Sequence, residues 1–368
     1  MRIVIDARML YWTGVGRYTK ALLDHLPEID QKNEYFVLTR PKDRKLWEPQ
    51  AANFTRVEAA INPYTGSEQT RLPGVIRKLK PDLVHFTAAN VPIAYTGNRV
   101  VTVHDLTLLD FDTSRGGGLQ RSVRKLKRVP YRLVLRRDLG AATLITPTQY
   151  VKKQLVARYK VDPGKVQVTL LAADAHLATP AALDRFSLGR QFILFVGNVY
   201  PYKNAGIILD ALKLLKADHP ELQLVVTSQP DFFRDQLEAK ARQLGIGERL
   251  ILTGFVSDGE LVSLYRDAVM YVYPSLSEGF GLQGLESMAQ GLPVLAADAS
   301  CLAEICGDAA EYFDPHDPPN LAEGIHTLLG SPERQEEMRQ RGYARLKKFS
   351  WCTMAEETLE IYRQAGER

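Results

Sequence analysis

Two carboxylates with seven residues between them, Glu278 and Glu286, bracket a glycine-rich turn in the stretch SLSEGFGLQGLESMAQGLPV, Ser275 to Val294. A short apolar run, Val269 to Tyr273, precedes the turn and an amphipathic stretch follows it, so the order reads strand, turn, helix. Gly279, Gly281 and Gly284 leave backbone N–H groups open, and amides at a helix start favour electron-rich, oxygen-bearing ligands. With the helix beginning near Leu282, Glu286 sits about one turn inside it and Glu278 stays on the turn before the first amides. The same spacing also fits an ordinary glycine-rich loop in which Glu286 is a first-turn acid.

Three other segments carry residues of the right kind. GNVYPYKN follows the apolar run Phe192 to Val196 and puts Lys203 where a helix is expected to begin. A cation beside helix amides suits a departing diphosphate, although an exposed lysine at a helix start reads the same way. In YWTGVGRYTKALLDHL, Gly14 and Gly16 separate the first strand from an apolar-periodic helix, as an anion-approaching loop or a tightly packed turn would. VVTVHDLTLLD places His104 and Asp105 just after a buried-looking strand. A lone histidine is usually structural, and Asp105 could orient the imidazole or cap the next segment. His85, after the preceding strand, is a weaker candidate; Asp298 and Glu304 read as a loop acid and a first-turn helix acid.

Positioning these groups takes two βα series. At 368 residues the chain exceeds what one core usually organises. Strand candidates in the first half are Ile3 to Ile5, Tyr35 to Leu38, Leu83 to Phe86, Val100 to Val103, Leu144 to Thr146 and Val166 to Leu170. The second half offers Phe192 to Val196, Leu222 to Val226, Leu250 to Thr253, Met270 to Tyr273, Val294 to Ala296 and Glu311 to Phe313. Helical patterns separate most of them, which predicts parallel sheets covered by helices, with ligands beyond the carboxyl ends of the strands. The Ala-rich stretch Ala172 to Leu188, with Pro180 inside it, reads as the linker. The expected organisation is an α/β protein with a Rossmann-like domain at 1–172, a linker at 173–189, a second Rossmann-like domain at 190–350 and a terminal helix at 351–368.

Composition excludes several classes. A hydrophobic content of 45% with 24% charged residues is ordinary for a globular protein, and no apolar run approaches the ~20 residues of a membrane span. The start, MRIVIDARML, reads as a first strand and lacks a signal peptide's long apolar region. Cys301, Cys306 and Cys352 are too few and too irregular for a disulfide framework or a zinc site, so a reducing cytoplasm is expected. The net charge of +4 conceals a division: residues 1–190 hold 31 Lys and Arg against 17 Asp and Glu, and the remainder 16 against 26. Nine basic residues lie between Arg115 and Arg137 without one acid; Arg121, Arg124, Lys125, Arg128 and Arg132 recur at helical spacing among apolar residues. A solvated helix face fits this pattern, as does attraction to anionic lipid or a pyrophosphate-bearing acceptor. With no reader motif or interleaved aromatics, nucleic acid is not the expected partner.

From MRIVIDARML to FSWCTMAEETLEIYRQ the chain resembles the retaining nucleotide-sugar glycosyltransferases of the GT-B fold, specifically glycosyltransferase family 4. EGFGLQGLESMAQGLPVLAAD, followed by LAEICGDAAEYFDPHDPPNLAEGI, carries the resemblance most strongly. It implies two Rossmann-like domains facing across a cleft, hinge closure, and a C-terminal helix crossing back to the N-terminal domain. It also implies donor-sugar contact by Glu278, by the amides of Phe280, Gly281 and Leu282 and by His104, ribose contact by Glu286, and diphosphate contact by Lys203. Asn198 stands where the family often has an arginine. LTGFVSDGELVSLYRDA resembles the base-reading segment, with Phe255 and Val256 as base contacts, and the Gly14 to Gly16 amides are implied near the diphosphate. Catalytic roles fall to His104, Lys203 and Glu278.

The expected activity is retaining, front-face transfer of a hexose to a hydroxyl of a saccharide or lipid-linked saccharide in surface polysaccharide synthesis. GDP-mannose is the favoured donor and a UDP-sugar the runner-up. With no DxD-like motif, no metal and no cofactor are expected, and the basic segment suggests peripheral contact with anionic lipid at the cytoplasmic membrane face. An epimerase or phosphorylase on the same fold would need other groups at the anomeric carbon. A non-catalytic nucleotide-sugar sensor is the alternative outside enzymes.

Overall fold

The computed structural model describes residues 1–111, 139–140, 142–173 and 178–367. Their contacts separate into two compact units. The first comprises the described parts of Met1–Leu106, Val123–Leu171 and Ser350–Arg368; the second, those of Thr107–Ser122 and Ala172–Phe349. The segment Arg121 to Arg132, expected to bind acceptor or membrane, lies outside the described residues.

In the first unit seven strands form one parallel sheet: β1 (Arg2–Asp6), β2 (Glu34–Thr39), β3 (Phe54–Glu58), β4 (Leu83–Phe86), β5 (Arg99–Thr102), β6 (Thr143–Thr146) and β7 (Val166–Val168), in the order β3-β2-β1-β4-β5-β6-β7. Ile3 pairs with Tyr35 on one side and with Leu83 on the other, so the strand order reverses direction between β1 and β4. Such a switch point opens a crevice at the carboxyl ends of the two strands. The central strands are apolar and buried on both faces, as a helix-covered parallel sheet requires. Every first-half strand candidate forms, within one or two residues. The sequence pattern missed β3, an edge strand whose Arg56 and Glu58 interrupt the apolar signal.

The second unit repeats the plan with β8 (Phe192–Val196), β9 (Gln223–Thr227), β10 (Leu250–Leu252), β11 (Met270–Tyr273), β12 (Val294–Ala297) and β13 (Ala310–Phe313), ordered β10-β9-β8-β11-β12-β13. Its switch point lies between β8 and β11, where Leu194 pairs with Tyr271. The chain entering this unit is stitched to the helix Asp258–Asp267: the Ala181 N–H donates to the Gly259 carbonyl, and the Ser263 hydroxyl to that of Ala181. A Cβ on Gly259 would lie 2.6 Å from the Thr179 carbonyl oxygen, so only glycine permits this approach.

The C-terminal helix Trp351–Gly366 begins at Ser350, whose hydroxyl caps the Thr353 N–H, and packs on the helix α1 (Thr13–Ile29) of the first unit. Tyr362 is fully buried there, with its hydroxyl 2.6 Å from His85 Nδ1, and the Asn98 amide donates to the Ala365 carbonyl. The expected return of the last helix to the N-terminal domain is therefore present. Tyr362→Phe would leave a buried imidazole nitrogen without its partner at a cost of about 1–3 kcal/mol. At roughly 2–4 °C per kcal/mol, the thermal midpoint should fall by several degrees; an unchanged midpoint would mean the contact contributes nothing.

Candidate active site

Both switch-point loops of the second unit carry the residues singled out for chemistry. After β8, Gly197 turns the chain with φ 118° and leaves Asn198 exposed. Pro201–Lys203 then forms one 3-10 turn, Asn204 takes a left-handed conformation (φ 53°), and the α-helix starts only at Gly206. Lys203 therefore stands before the helix rather than at its first residue, a correction to the expected helix start: the left-handed Asn204 breaks the spiral. The Asn204 side chain anchors this turn by donating to the Pro315 carbonyl at 2.8 Å. From the other loop the Leu276 N–H donates to the Tyr202 carbonyl at 2.8 Å, tying the exits of β8 and β11 together.

Across that tie Lys203 Nζ meets Glu278 Oε1 at 2.5 Å, with the two side chains only 13% and 12% exposed. The ammonium also lies 5.6 Å from the Tyr202 ring and 6.0 Å from that of Tyr273. Glu278 is fixed from behind by residues the sequence pattern did not single out. Its N–H donates to the Ser300 hydroxyl at 3.2 Å, and the buried Cys301 thiol donates to the carbonyls of Glu278 (3.3 Å) and Phe280 (3.2 Å). Ser300 itself is left-handed at φ 53°. The thiol was visible in sequence only as a cysteine unsuited to a disulfide, which says nothing of its hydrogen bonds.

The helix Leu282–Ala289 starts where expected, with Gly281 as N-cap at φ 99° and no side-chain cap. A Cβ at Gly281 would press within 3.1 Å of the Tyr273 hydroxyl in a backbone conformation that disfavours one. Among the described residues, the N–H groups of Phe280, Gly281 and Leu282 hydrogen-bond to no protein group. They are the orphan donors of a helix start. Glu286, one turn in, is 3% exposed and accepts from the Tyr265 hydroxyl at 2.9 Å, so Tyr265 orients it. Burial, reinforced by the Glu278 charge, pushes the Tyr273 phenol well above its ordinary pKa, and it donates to Gln283. In the loop after β10 the Phe255 ring is 68% exposed, Val256 is half-buried, and the Phe255 carbonyl accepts from Arg185.

In the first unit His104 follows β5, with Nε2 2.8 Å from the Thr87 carbonyl. A carbonyl only accepts, so Nε2 carries the proton and Nδ1 is left as the acceptor. The Tyr18 ring meets the imidazole edge-on at 5.0 Å, and the Tyr18 hydroxyl lies 3.0 Å from Thr102 Oγ1. Thr102 in turn contacts His85 Nε2 at 2.8 Å, so a buried polar chain connects Tyr362 on the last helix to the residue packed on His104. His85 is thereby a core histidine. Burial lowers both imidazoles, His85 to about 3 and His104 to about 4, the Thr87 bond offsetting part of the latter shift. Gly14 is exposed with open space around it. The Gly16 N–H is instead taken by the Trp12 carbonyl, and a Cβ there would lie 2.3 Å from the Leu10 carbonyl oxygen. Close packing accounts for Gly16.

No group of three or more His, Cys, Asp and Glu among the described residues is arranged to hold a metal ion, and no described helix is long and apolar enough to cross a membrane. The chemistry on offer is a lysine–carboxylate pair beside uncapped helix amides, with a second, buried carboxylate one turn away. Oxygen-rich phosphate and sugar ligands fit such donors and acceptors.

Comparison with known proteins defines the class. The model of Glycosyltransferase Family 4 matches residues 12–175, and that of Glycosyl transferases group 1 matches residues 184–345. Together with the two parallel-sheet units they make this a glycosyltransferase of the GT-B type. Between them the two glycosyltransferase family models cover most of the chain, Family 4 its first half and group 1 its second. It is 26% identical over 375 residues to an O-antigen chain mannosyltransferase B of Escherichia coli, spanning 95% of this chain and 96% of that one. To a D-inositol 3-phosphate glycosyltransferase of Segniliparus rotundus it is 27% identical over 365 residues, 89% of this chain and 79% of the other. A solved sucrose-phosphate synthase of Thermosynechococcus elongatus shares the fold, with a TM-score of 0.77 at 19% identity over 99% and 98% of the two chains.

The lowered histidines give stability a pH dependence. Because the native pKa values lie below the ordinary 6.5, the unfolded chain binds more protons between pH 6.5 and about 4. Stability should be fully present above pH 6.5 and decline as pH falls through that window. Denaturant melts from pH 7 to 5.5 should show this decline, and His85→Gln should flatten it; equal slopes for wild type and variant would contradict the assignment.

Proposed function

We propose that the chain is a retaining hexosyltransferase that moves mannose from GDP-mannose to a hydroxyl of a saccharide or lipid-linked saccharide acceptor. The observation that carries this reading is the Lys203–Glu278 pair at the switch point of the second sheet, beside the uncapped start of Leu282–Ala289. A donor replaces that pair: diphosphate oxygens take the ammonium, and sugar hydroxyls donate to the Glu278 carboxylate in charge-assisted hydrogen bonds. The free amides of Phe280 to Leu282 serve sugar oxygens, Asn198 a phosphate oxygen, and Glu286, held by Tyr265, the ribose hydroxyls. The exposed Phe255 ring and Val256 flank the base. Likeness to a mannosyltransferase over nearly the full length of both chains supports the choice of sugar.

In the front-face course implied by the family resemblance, the C1–oxygen bond to the diphosphate breaks as the acceptor oxygen bonds to C1 from the same side. A diphosphate oxygen takes the acceptor proton. The negative charge that grows on the leaving group is met by Lys203, whose charge is held in place in a partly buried site. The family resemblance assigns neutral His104, with Nδ1 as acceptor, to a sugar hydroxyl and Gly14 to the diphosphate. Because lysine and amides supply the positive charge, the reaction needs no metal. Transfer activity is expected to persist in EDTA; complete loss restored by manganese would contradict this.

A thermal-shift screen of GDP- and UDP-sugars tests the donor. A ligand at 100 times its dissociation constant stabilises by about 2.7 kcal/mol, so GDP-mannose should raise the midpoint clearly more than UDP-glucose. Equal shifts, or a larger one with a UDP-sugar, would overturn the donor assignment. The basic segment from Arg121 to Arg132 is proposed to rest on anionic head groups. Sedimentation with vesicles should therefore increase with phosphatidylglycerol content, and binding indifferent to it would remove the membrane role.

A further inference from the structure

Three aromatic rings stand at the switch-point end of the first sheet, and no step of the donor chemistry uses them. Tyr11 and Trp12 end the loop after β1, and Tyr64 precedes the helix α2 (Gly66–Lys78) that leads to β4. Trp12 and Tyr64 stack nearly parallel, 15° apart with ring centroids at 5.6 Å, and Tyr11 meets Trp12 edge-on at 5.9 Å. Tyr11 is 45% exposed and Tyr64 46%. The buried Arg40 guanidinium lies 3.6 Å over the Tyr11 ring and holds one face of it.

The cluster is held by more machinery than a surface loop requires. Tyr64 is left-handed at φ 58°, a conformation that a bulky aromatic adopts only when its surroundings force it. Its N–H donates to Glu68 Oε2 at 2.8 Å. The other oxygen of Glu68 accepts from Arg8 Nη2 and from Asn90 Nδ2, both at 2.7 Å, and Arg8 also grips Asp6 through two nitrogens. Asp6, Arg8 and Glu68 are at most 1% exposed. A buried ion triad is weak evidence for stability, since apolar residues of similar size often serve as well. Here it fixes the backbone of a strained residue whose side chain is about half exposed while stacked on Trp12. Strain of this kind collects where a ligand is handled.

Backbone donors accompany the rings. Trp12 is the N-cap residue of α1 and Thr65 that of α2, and neither helix has a side-chain cap, so both start with orphan N–H groups beside the aromatics. A flat aromatic stack with amide donors at its edge matches a pyranose, which has an apolar C–H face and a rim of hydroxyl oxygens. We propose that Tyr11, Trp12 and Tyr64 form a stacking subsite for a saccharide ring of the acceptor, and that the Asp6–Arg8–Glu68 triad acts as its positioning device. This rests on the reading of the chain as a transferase to saccharides and adds where and how one sugar ring is gripped.

Trp12 is half-buried whereas Trp47 and Trp351 are buried, so Trp12 is the tryptophan best placed to report a ligand at the rings. Tryptophan fluorescence of the full chain is titrated with a panel of mannose, rhamnose and glucose trisaccharides, with sorbitol as an open-chain polyol lacking a ring face. A saturable change with at least one trisaccharide and none with sorbitol is expected. Tyr64→Gly removes a ring while giving the left-handed position the residue it suits. It should weaken that trisaccharide at least fivefold and raise acceptor KM, while leaving the melting temperature level or higher and GDP-mannose affinity unchanged. Trp12→Leu, read by the change in acceptor KM, should do the same.

No trisaccharide response in the wild type overturns the proposal, as does unchanged acceptor affinity in a folded Tyr64→Gly protein. Concentration-dependent dimerisation abolished by Tyr64→Gly, with saccharide binding unaffected, would instead make the rings an interface between copies. If the wild type binds no nucleotide sugar in a parallel thermal shift, it is the transferase reading that fails.

Discussion

A partly buried ion pair, Lys203 with Glu278, links the two switch-point loops of the second unit and is the contact on which the candidate site depends. Charges drawn partly out of water are most stable when matched; removing one partner of a fully buried pair costs about 3–5 kcal/mol, and of this partly exposed pair less. The protein meets that demand with a backbone bond between the two loops and with hydrogen bonds from behind the acidic turn. The pair also keeps a cation and a carboxylate aligned side by side at the strand ends, the geometry on which the proposed donor site rests.

Behind the pair the supports are layered. Tyr265 holds Glu286, Cys301 and Ser300 hold the backbone around Glu278, and the left-handed Gly281 frees the amides at the helix start. Each of these contacts holds a polar group of the candidate site in place from behind. The first unit follows the same logic with different parts. Its C-terminal helix is more than a lid on α1, because Tyr362 joins His85, Thr102 and Tyr18 in a buried polar chain ending against His104. Partial satisfaction of such a chain would be costly, so the last helix and the Tyr18 ring packed on His104 are held by one hydrogen-bonded network.

Much of this was legible in the sequence because it depends on period and spacing. Apolar runs of strand length marked twelve of the thirteen strands; β3 escaped because an edge strand needs no continuous apolar pattern. The spacing of Glu278 and Glu286 and the glycines between them gave the strand–turn–helix order and the helix start at Leu282. The rest depends on contacts between residues far apart in the chain. Nothing local to Cys301 announces two carbonyl acceptors, nothing in Tyr362 points 277 positions back to His85, and Arg8 finds Glu68 only because β1 and α2 meet in the fold. Gly16 shows a subtler limit: its glycine was readable, but packing on Leu10 rather than an open amide is the reason for it.

The central claim is that Lys203 serves the diphosphate and Glu278 the sugar. It is tested most directly by titration calorimetry of the best nucleotide sugar from the donor screen, and of its bare nucleoside diphosphate, into wild type, Lys203→Met and Glu278→Gln. The account predicts that Lys203→Met weakens both ligands, whereas Glu278→Gln weakens the nucleotide sugar and leaves the bare diphosphate as tight or tighter. Equal loss of both ligands in Glu278→Gln, or none in Lys203→Met, would contradict it.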